Sequence, residues 1–394
     1  MEKEIQLLIN NIVEKSKNNL IKEKYNYGSY IIKITSDNNE IYNSLLNILK
    51  THFAKLNNTS IDNKDTLFAY NILCDDLLYE KLSNFYSLKK SKQNVVLSYC
   101  STEKGTMRAE KLVIDDNENY ILRTTKTDTF FIAMENNKQY FFITSSKYFN
   151  KITTSKDNYL FFEHVLSKSI IDDGYVLVHA SAVQTRKGIV LFSGEKRAGK
   201  TTLFIEMVKK YHAIPVSVDK VFCRINSIGI IDVLGFPTRI RVLAGTLSKY
   251  EDCLKLIPIN YQNASQDELW EGKSDSKIDL SVLEFEKYIG GKFISGGKLH
   301  CMIFPNINKN NSTYKVEQAL DYDILKILHK VVYSPINPEE DFWSNIGKNN
   351  VYNQYLISNR LIEYILQNYV SILVTASDDL ESCIKILRNK FDLD

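Results

Sequence analysis

One stretch of the chain gathers the residue types that hold phosphate. Gly194-Glu195-Lys196-Arg197-Ala198-Gly199-Lys200-Thr201 fits the pattern G-x-x-x-x-G-K-[ST] at every constrained position. The glycines let the backbone turn tightly enough to aim several N–H groups at phosphate oxygens. Lys200 supplies a cation for the outer phosphates, and the Thr201 hydroxyl suits a hard Mg²⁺ ion that keeps most of its waters. Because such a loop works through its backbone, the free positions Glu195, Lys196, Arg197 and Ala198, and Thr202 just beyond, belong to the same nucleotide-contacting set. The side chains of Glu195, Lys196 and Arg197 are expected to face solvent. The chemistry expected here is the binding of a nucleoside triphosphate together with Mg²⁺.

That chemistry requires a strand feeding the loop and a helix leaving it. Gly188-Ile189-Val190-Leu191-Phe192-Ser193 is a short apolar run suited to a buried strand. Thr202-Leu203-Phe204-Ile205-Glu206-Met207-Val208 has apolar residues at helical spacing and neither Gly nor Pro. A helix beginning at the loop adds its unpaired N-terminal donors and the positive end of its dipole. Further on, Ile214 to Val218 reads as a strand with Asp219 at its C-terminal end, the side on which open α/β sheets bind ligands. Asp219 there could orient a hydroxyl and hold metal, or could cap a turn.

The rest of the chain reads as two domains. Residues 1 to about 24 carry a helical period, Tyr30–Ile34 and Leu67–Leu73 read as strands, and a helix is expected over roughly Asn39–Phe53. Val95–Tyr99, Lys111–Ile114, Tyr120–Arg123, Phe130–Met134 and Tyr140–Thr144 read as consecutive strands separated by turn chemistry. This predicts an α+β domain with an antiparallel sheet over 1–155. A polar segment at 153–158 and a helix over Tyr159–Ile171 then open an α/β domain over 156–394. Its expected elements are strands at Tyr175–Val183 and Tyr369–Thr375, a hairpin of Val221–Ile225 with Ile230–Leu234, and helices at Leu247–Leu256, Ser281–Tyr288, Leu320–Val332, Asn353–Gln367 and Asp379–Phe391. Asn-rich patches near 57–64 and 307–312 read as loops. Tyr140-Phe141-Phe142 and Phe161-Phe162 read as core.

Bulk properties narrow the class. The chain has 394 residues, 44% of them hydrophobic and 11% aromatic, enough to build real cores. Fifty basic against 47 acidic residues leave a net charge of +3, which argues for neither nucleic-acid nor membrane partners. Six scattered cysteines without a C-x-x-C pair suggest neither a zinc site nor a disulfide framework. With no signal-peptide order at the start and no apolar run of membrane length, a cytoplasmic protein is expected.

Four blocks in order narrow the reading further: Leu177-Val178-His179-Ala180-Ser181-Ala182-Val183, the loop, Ser217-Val218-Asp219-Lys220-Val221, and Gly235-Phe236-Pro237-Thr238-Arg239-Ile240. This set resembles the HPr-kinase-like family of phosphate-loop kinases, related in fold to phosphoenolpyruvate carboxykinase. It is most similar to the bacterial members associated with peptide modification, including lasso-peptide kinases. The resemblance covers about 175–245, with weaker support from Lys277–Leu280 and Met302–Pro305.

The resemblance implies a phosphate-loop kinase domain behind a variable N-terminal domain. It implies that His179 lies near the transferring phosphate. It also implies that Asp219 serves the metal and the acceptor hydroxyl, making Asp219, Lys200 and His179 the catalytic set, with Thr201 and Asp219 at the metal. In that family the acidic motif is Asp-Asp or Asn-Asp, whereas here it is Val218-Asp219. From sequence alone a lone His within an apolar strand, as His179 is, reads more often as a satisfied core residue, and the family block brings the two readings level. Arg239 and Arg241, alternating on one face, suit a phosphate or peptide carboxylate, or simply solvent. Asp232, ending an apolar strand, is a second candidate metal acid.

Three functions remain open at this point. The first is an ATP-dependent kinase of a Ser or Thr hydroxyl on a peptide or small protein, with the N-terminal domain recognising the acceptor. The second is a kinase of a small hydroxy metabolite or amino acid. The third is a nucleotide-dependent switch that has lost transfer.

Overall fold

The computed structural model describes residues 2–56, 66–89, 92–98, 107–115, 119–147, 149, 151–262, 264–270, 277–307, 315–319, 321–333, 351–376 and 380–391. The chain is α/β, built on large mixed sheets. It divides into two compact units, one built on Met1–Asn47 and Phe53–Asp173, the other on Gly174–Ser334 and Gln354–Asp394, with Ile48–His52 also in the second.

The first unit holds strands β1 (Ile21–Tyr27), β2 (Tyr30–Ser36), β3 (Ala54–Lys55), β4 (Thr66–Cys74), β5 (Gln93–Ser98), β6 (Met107–Val113), β7 (Tyr120–Thr124), β8 (Phe130–Met134) and β9 (Gln139–Thr144). Its helices are α1 (Glu2–Lys17), α2 (Asn39–Leu49), α3 (Asp76–Ser87) and α4 (Lys151–Asp172). The strands form one sheet in the order β3-β1-β2-β4-β9-β8-β7-β6-β5. The expected antiparallel sheet is instead mixed, because β4 pairs parallel with both β2 and β9. Parallel neighbours need crossovers, and α2 and α3 lie in those connections.

Two elements differ from the sequence reading. The first helix stops at Lys17, and residues 21–27 form β1, with Tyr25 and Tyr27 turned into the core. Helix α3 went unread, although Asp75 caps it by accepting from the Leu78 amide at 2.8 Å and Leu78, Tyr79, Leu82 and Tyr86 are buried at helical spacing.

One face of this sheet is covered by α1 and α3, whose Ile5, Leu8, Ile9, Leu78 and Leu82 pack with Phe130, Phe141 and Ile143. Successive strand residues face opposite ways, so Phe131 and Phe142 lie on the other face, where Phe161 of α4 stacks on Phe131 with centroids 4.7 Å apart. Phe162 meets Phe53, Phe68 and Tyr70 edge-on. These aromatic contacts place α4 in the first unit, so the chain divides after Asp173 rather than at 155.

The second unit contains β10 (Val176–Gln184), β11 (Ile189–Ser193), β12 (Ile214–Ser217), β13 (Lys220–Ile225), β14 (Ile231–Gly235), β15 (Ile240–Leu243), β16 (Lys277–Leu280), β17 (Gly296–Ile307), β18 (Lys315–Gln318) and β19 (Val370–Ala376). Helices are α5 (Lys200–Tyr211), α6 (Ala244–Leu247), α7 (Ile259–Gln262), α8 (Gln266–Trp270), α9 (Val282–Tyr288), α10 (Asp321–Val331), α11 (Val351–Asn368) and α12 (Leu380–Phe391). The helix expected at 247–256 is two pieces, α6 and a 3-10 turn at Glu251–Leu256.

Eight strands form the main sheet, in which β11 lies between antiparallel β10 and parallel β17, and β17 continues to parallel β19. The hairpin of β13 and β14 turns at Asn226–Gly229, where the Asn226 carboxamide accepts from the Ile228 and Ile230 amides. Leu203, Phe204 and Val208 of α5 and Ile384 and Leu387 of α12 share one apolar core with Phe192 and Ile303. Leu328 of α10 and Leu361 and Ile365 of α11 share another with Leu191 and Met302. Helices therefore cover both faces, because alternate residues of the same central strands are apolar in both directions.

Among the described residues no helix is long and apolar enough to cross a membrane. Cys74, Cys223, Cys253, Cys301 and Cys383 are free thiols, while Cys100 and the Asn-rich stretch 57–64 lie outside the described residues.

Candidate functional site

Strand β11 is buried along its whole length and ends at Ser193, directly before the glycine loop. Helix α5 starts at Lys200, with Gly199 as its N-cap at φ +99°. A side chain at 199 would be strained by that angle, and its Cβ would lie 2.6 Å from the Ile307 side chain. Glycine is therefore required there on two counts. The Ile307 amide donates to the Ala198 carbonyl at 3.0 Å, tying the loop to the end of β17. Arg197 also takes a left-handed angle, φ +70°, unusual for a residue with a side chain.

Lys200 folds back over the loop. Its Nζ donates to the carbonyls of Gly194 and Glu195, each at 2.9 Å, and the side chain is buried. Burial pushes its pKa down to about 8, against the pull of Asp219, while Lys277 pushes the same way. Thr201 is half-buried in the first turn of α5. Thr202 turns inward, where its hydroxyl lies 3.3 Å from that of Thr246, so only its backbone remains on the loop side. Glu195, Lys196 and Arg197 are exposed as expected, and Glu195 pairs with Lys330 of α10.

Strand register brings the other candidates to the same end of the sheet. On β10, Ala180 lies opposite Ser193, Ala182 opposite Ser217 and His179 opposite Lys220. His179 thus sits between the end of the loop strand and the turn carrying Asp219. Its Nδ1 is 3.7 Å from Asp219 Oδ1. Burial lowers the pKa of His179 to about 4, Asp219 opposes this, and Lys200, Lys220 and Lys277 reinforce it. The imidazole is therefore neutral at pH 7.

Val218 points the other way. It is buried in the core shared by Phe192, Leu203 and Ile303, so the position before Asp219 contributes no group to the site. Asp232 does not join the site either. It pairs across the β13–β14 hairpin with Arg224 and accepts from Asn226 Nδ2 at 3.1 Å, a structural role within the hairpin.

Arg239, just before β15, and Arg241 within it are exposed, whereas the alternating Ile240 and Val242 are buried. Arg241 Nε is 3.0 Å from Asp279 Oδ1. The residue that sequence reasoning left without a role is Lys277, at the start of β16. Burial lowers its pKa, Asp219 raises it, and Arg241 and Lys196 lower it further, so it stands among the charged groups of the loop end. The signal was the short block Lys277–Leu280, but nothing local shows that a distant ribbon returns to Asp219.

Among the described residues the assembled site has a backbone loop of anion-binding type, the lysines Lys196, Lys200, Lys220 and Lys277 around it, and the Asp219 carboxylate beside a neutral imidazole. That set can bind a polyphosphate and handle a proton near its end. No family model matches this chain, and no curated protein matches it either.

Proposed function

We propose that the second unit is an ATP-dependent phosphotransferase acting on a hydroxyl, Ser or Thr, of a peptide or small protein, in the manner of the HPr-kinase-like family its motifs resemble. The observation that carries this reading is the complete loop between β11 and α5 with the His179–Asp219 pair at the same end of the sheet. Phosphoryl transfer asks mainly for positioning and charge neutralisation. The loop amides and Lys200 hold the phosphates, Lys277 adds positive charge, and Asp219 orients the acceptor hydroxyl and takes its proton late in the reaction. Neutral His179 can accept or donate one hydrogen bond beside that carboxylate.

Among the described residues no three His, Cys, Asp or Glu side chains gather into a metal cage. One hydroxyl, Thr201, and one carboxylate, Asp219, fit Mg²⁺ that keeps waters and phosphate oxygens as its other ligands. The ion would supply charge neutralisation at the phosphates. The first unit, which carries none of these groups, serves acceptor recognition in this reading.

A second reading draws support from Val218. With that position buried in the core, Asp219 must serve both metal and acceptor, and a nucleotide-dependent switch without transfer needs neither task done well. The deciding experiment incubates the protein with γ-labelled ATP and Mg²⁺ across peptides, free hydroxy amino acids and water. Label transfer that disappears in Lys200→Ala supports the kinase. Tight ATP binding with no transfer or hydrolysis supports the switch.

A further inference from the structure

Three fully buried serines underlie the site, on β10, β11 and β12. Ser193, the last residue of β11, donates its hydroxyl to the His179 carbonyl at 2.9 Å. Ser181, two residues after His179 on β10, donates to the Val218 carbonyl at 2.5 Å. Ser217, the last residue of β12, donates to the Lys220 carbonyl at 2.5 Å. Asp219 is thereby bracketed, because the carbonyls of the residues on both sides of it are pinned by buried hydroxyls.

The regular ladder is weak at this place. The register between β10 and β12 shifts between Ala182 and Val183, and β12 ends at Ser217, two residues before the carboxylate. A buried hydroxyl without a partner costs free energy, so Ser181 and the Val218 carbonyl are held to each other. The direction of that carbonyl sets the peptide plane entering Asp219, and with it the direction in which the side chain leaves the backbone. We infer that Ser181 is a positioning residue: its bond to the Val218 carbonyl aims the Asp219 carboxylate at His179 and the end of the glycine loop. The kinetic consequence rests on the kinase reading; the geometric one does not.

Ser358 provides a matched control. It is equally buried in the second unit and donates to the Tyr333 carbonyl at 3.2 Å, on a helix that carries none of the site residues. The experiment compares full-length Ser181→Ala, Ser358→Ala and Asp219→Asn with the wild type by histidine-selective NMR, assigning His179 through His179→Gln. Ser181→Ala is expected to move the His179 ring resonances in the same sense as Asp219→Asn, and Ser358→Ala to leave them in place. His179 resonances unmoved by Ser181→Ala overturn the inference, whatever the activity.

The second arm is kinetic. Ser181→Ala is expected to lower kcat about 10- to 100-fold, as for a misplaced catalytic group, while the ATP Kd stays within about twofold. A Ser181→Ala enzyme with the kcat of Ser358→Ala overturns the inference. A wild type that transfers nothing to any acceptor or to water removes the kinase reading instead, and the ring resonances then decide the positioning role by themselves.

Discussion

His179 and Asp219 are 40 positions apart in the chain, yet Nδ1 of the one stands 3.7 Å from Oδ1 of the other. The distance is longer than a hydrogen bond, and such contacts commonly tighten only when substrate is bound. Burial keeps the imidazole uncharged, so the pair is a carboxylate beside a neutral ring rather than a closed ion pair. In the kinase proposed above, that carboxylate takes the proton of the incoming hydroxyl.

The same burial predicts acid sensitivity. His179 and His52 are each held at about 4 and His164 at about 3, all below the ordinary histidine value of 6.5. Between those values the unfolded chain binds protons that the folded one excludes, so stability is present above about pH 6.5 and is lost as the pH falls towards 4. Urea midpoints measured from pH 7.5 to 4.5 should fall steadily. His179→Gln should flatten part of that slope, with His52 and His164 carrying the rest. An identical slope in His179→Gln would show that the ring is not held neutral.

Lys200→Ala should weaken ATP–Mg²⁺ binding about 10- to 100-fold, the loss of one charge-assisted contact, while the circular dichroism spectrum stays that of the wild type. Because Lys200 titrates at about 8 in the free protein, wild-type affinity should also fall as the pH is raised through that value. Lys277→Ala should show a smaller loss in the same direction. Calorimetry measures all three. Unchanged affinity in Lys200→Ala would mean that the loop does not hold phosphate.

Asp219→Asn should lower the transfer rate by about 10²–10⁴, as expected for loss of a general base, and should change ATP affinity much less than Lys200→Ala does. Asp232→Asn should leave transfer near normal, since its carboxylate is engaged within the hairpin by Asn226. Single-turnover rates compare the two. Normal turnover in Asp219→Asn with loss in Asp232→Asn would reverse the assignment of the acid.

Gly199→Ala should destabilise the second unit by about 1–3 kcal/mol, the cost of holding a side chain in a sparsely populated backbone region, with the Ile307 contact adding to it. Chemical unfolding followed by tryptophan fluorescence is suitable, since Trp270 lies in this unit. Stability equal to the wild type would mean that the loop relaxes without cost.

Much of the site's local frame was legible in the amino-acid order alone. The buried run 189–193, the glycines at 194 and 199 and the uninterrupted helix to Tyr211 are contiguous, and each is dictated by which neighbours are apolar and which lack a side chain. The hairpin of β13 and β14 follows for the same reason, because its turn residues are local. The strand Phe130–Met134 and the burial of Tyr140, Phe141 and Phe142 were equally readable from apolar runs between turns. Helix α3 was readable too, since Asp75 stands three residues before the amide it caps.

Tertiary structure alone decided which apolar face meets which. An amphipathic pattern states that Phe161 and Phe162 need cover, but not whether strands before or after them provide it. Here Phe131 and Phe68 do, so α4 joins the first unit. The parallel pairings of β4, the inward turn of Val218 and the return of Lys277 to the neighbourhood of Asp219 have the same cause. Periodicity encodes orientation relative to a strand or helix axis, whereas closing a long loop depends on complementary surfaces that no local window contains.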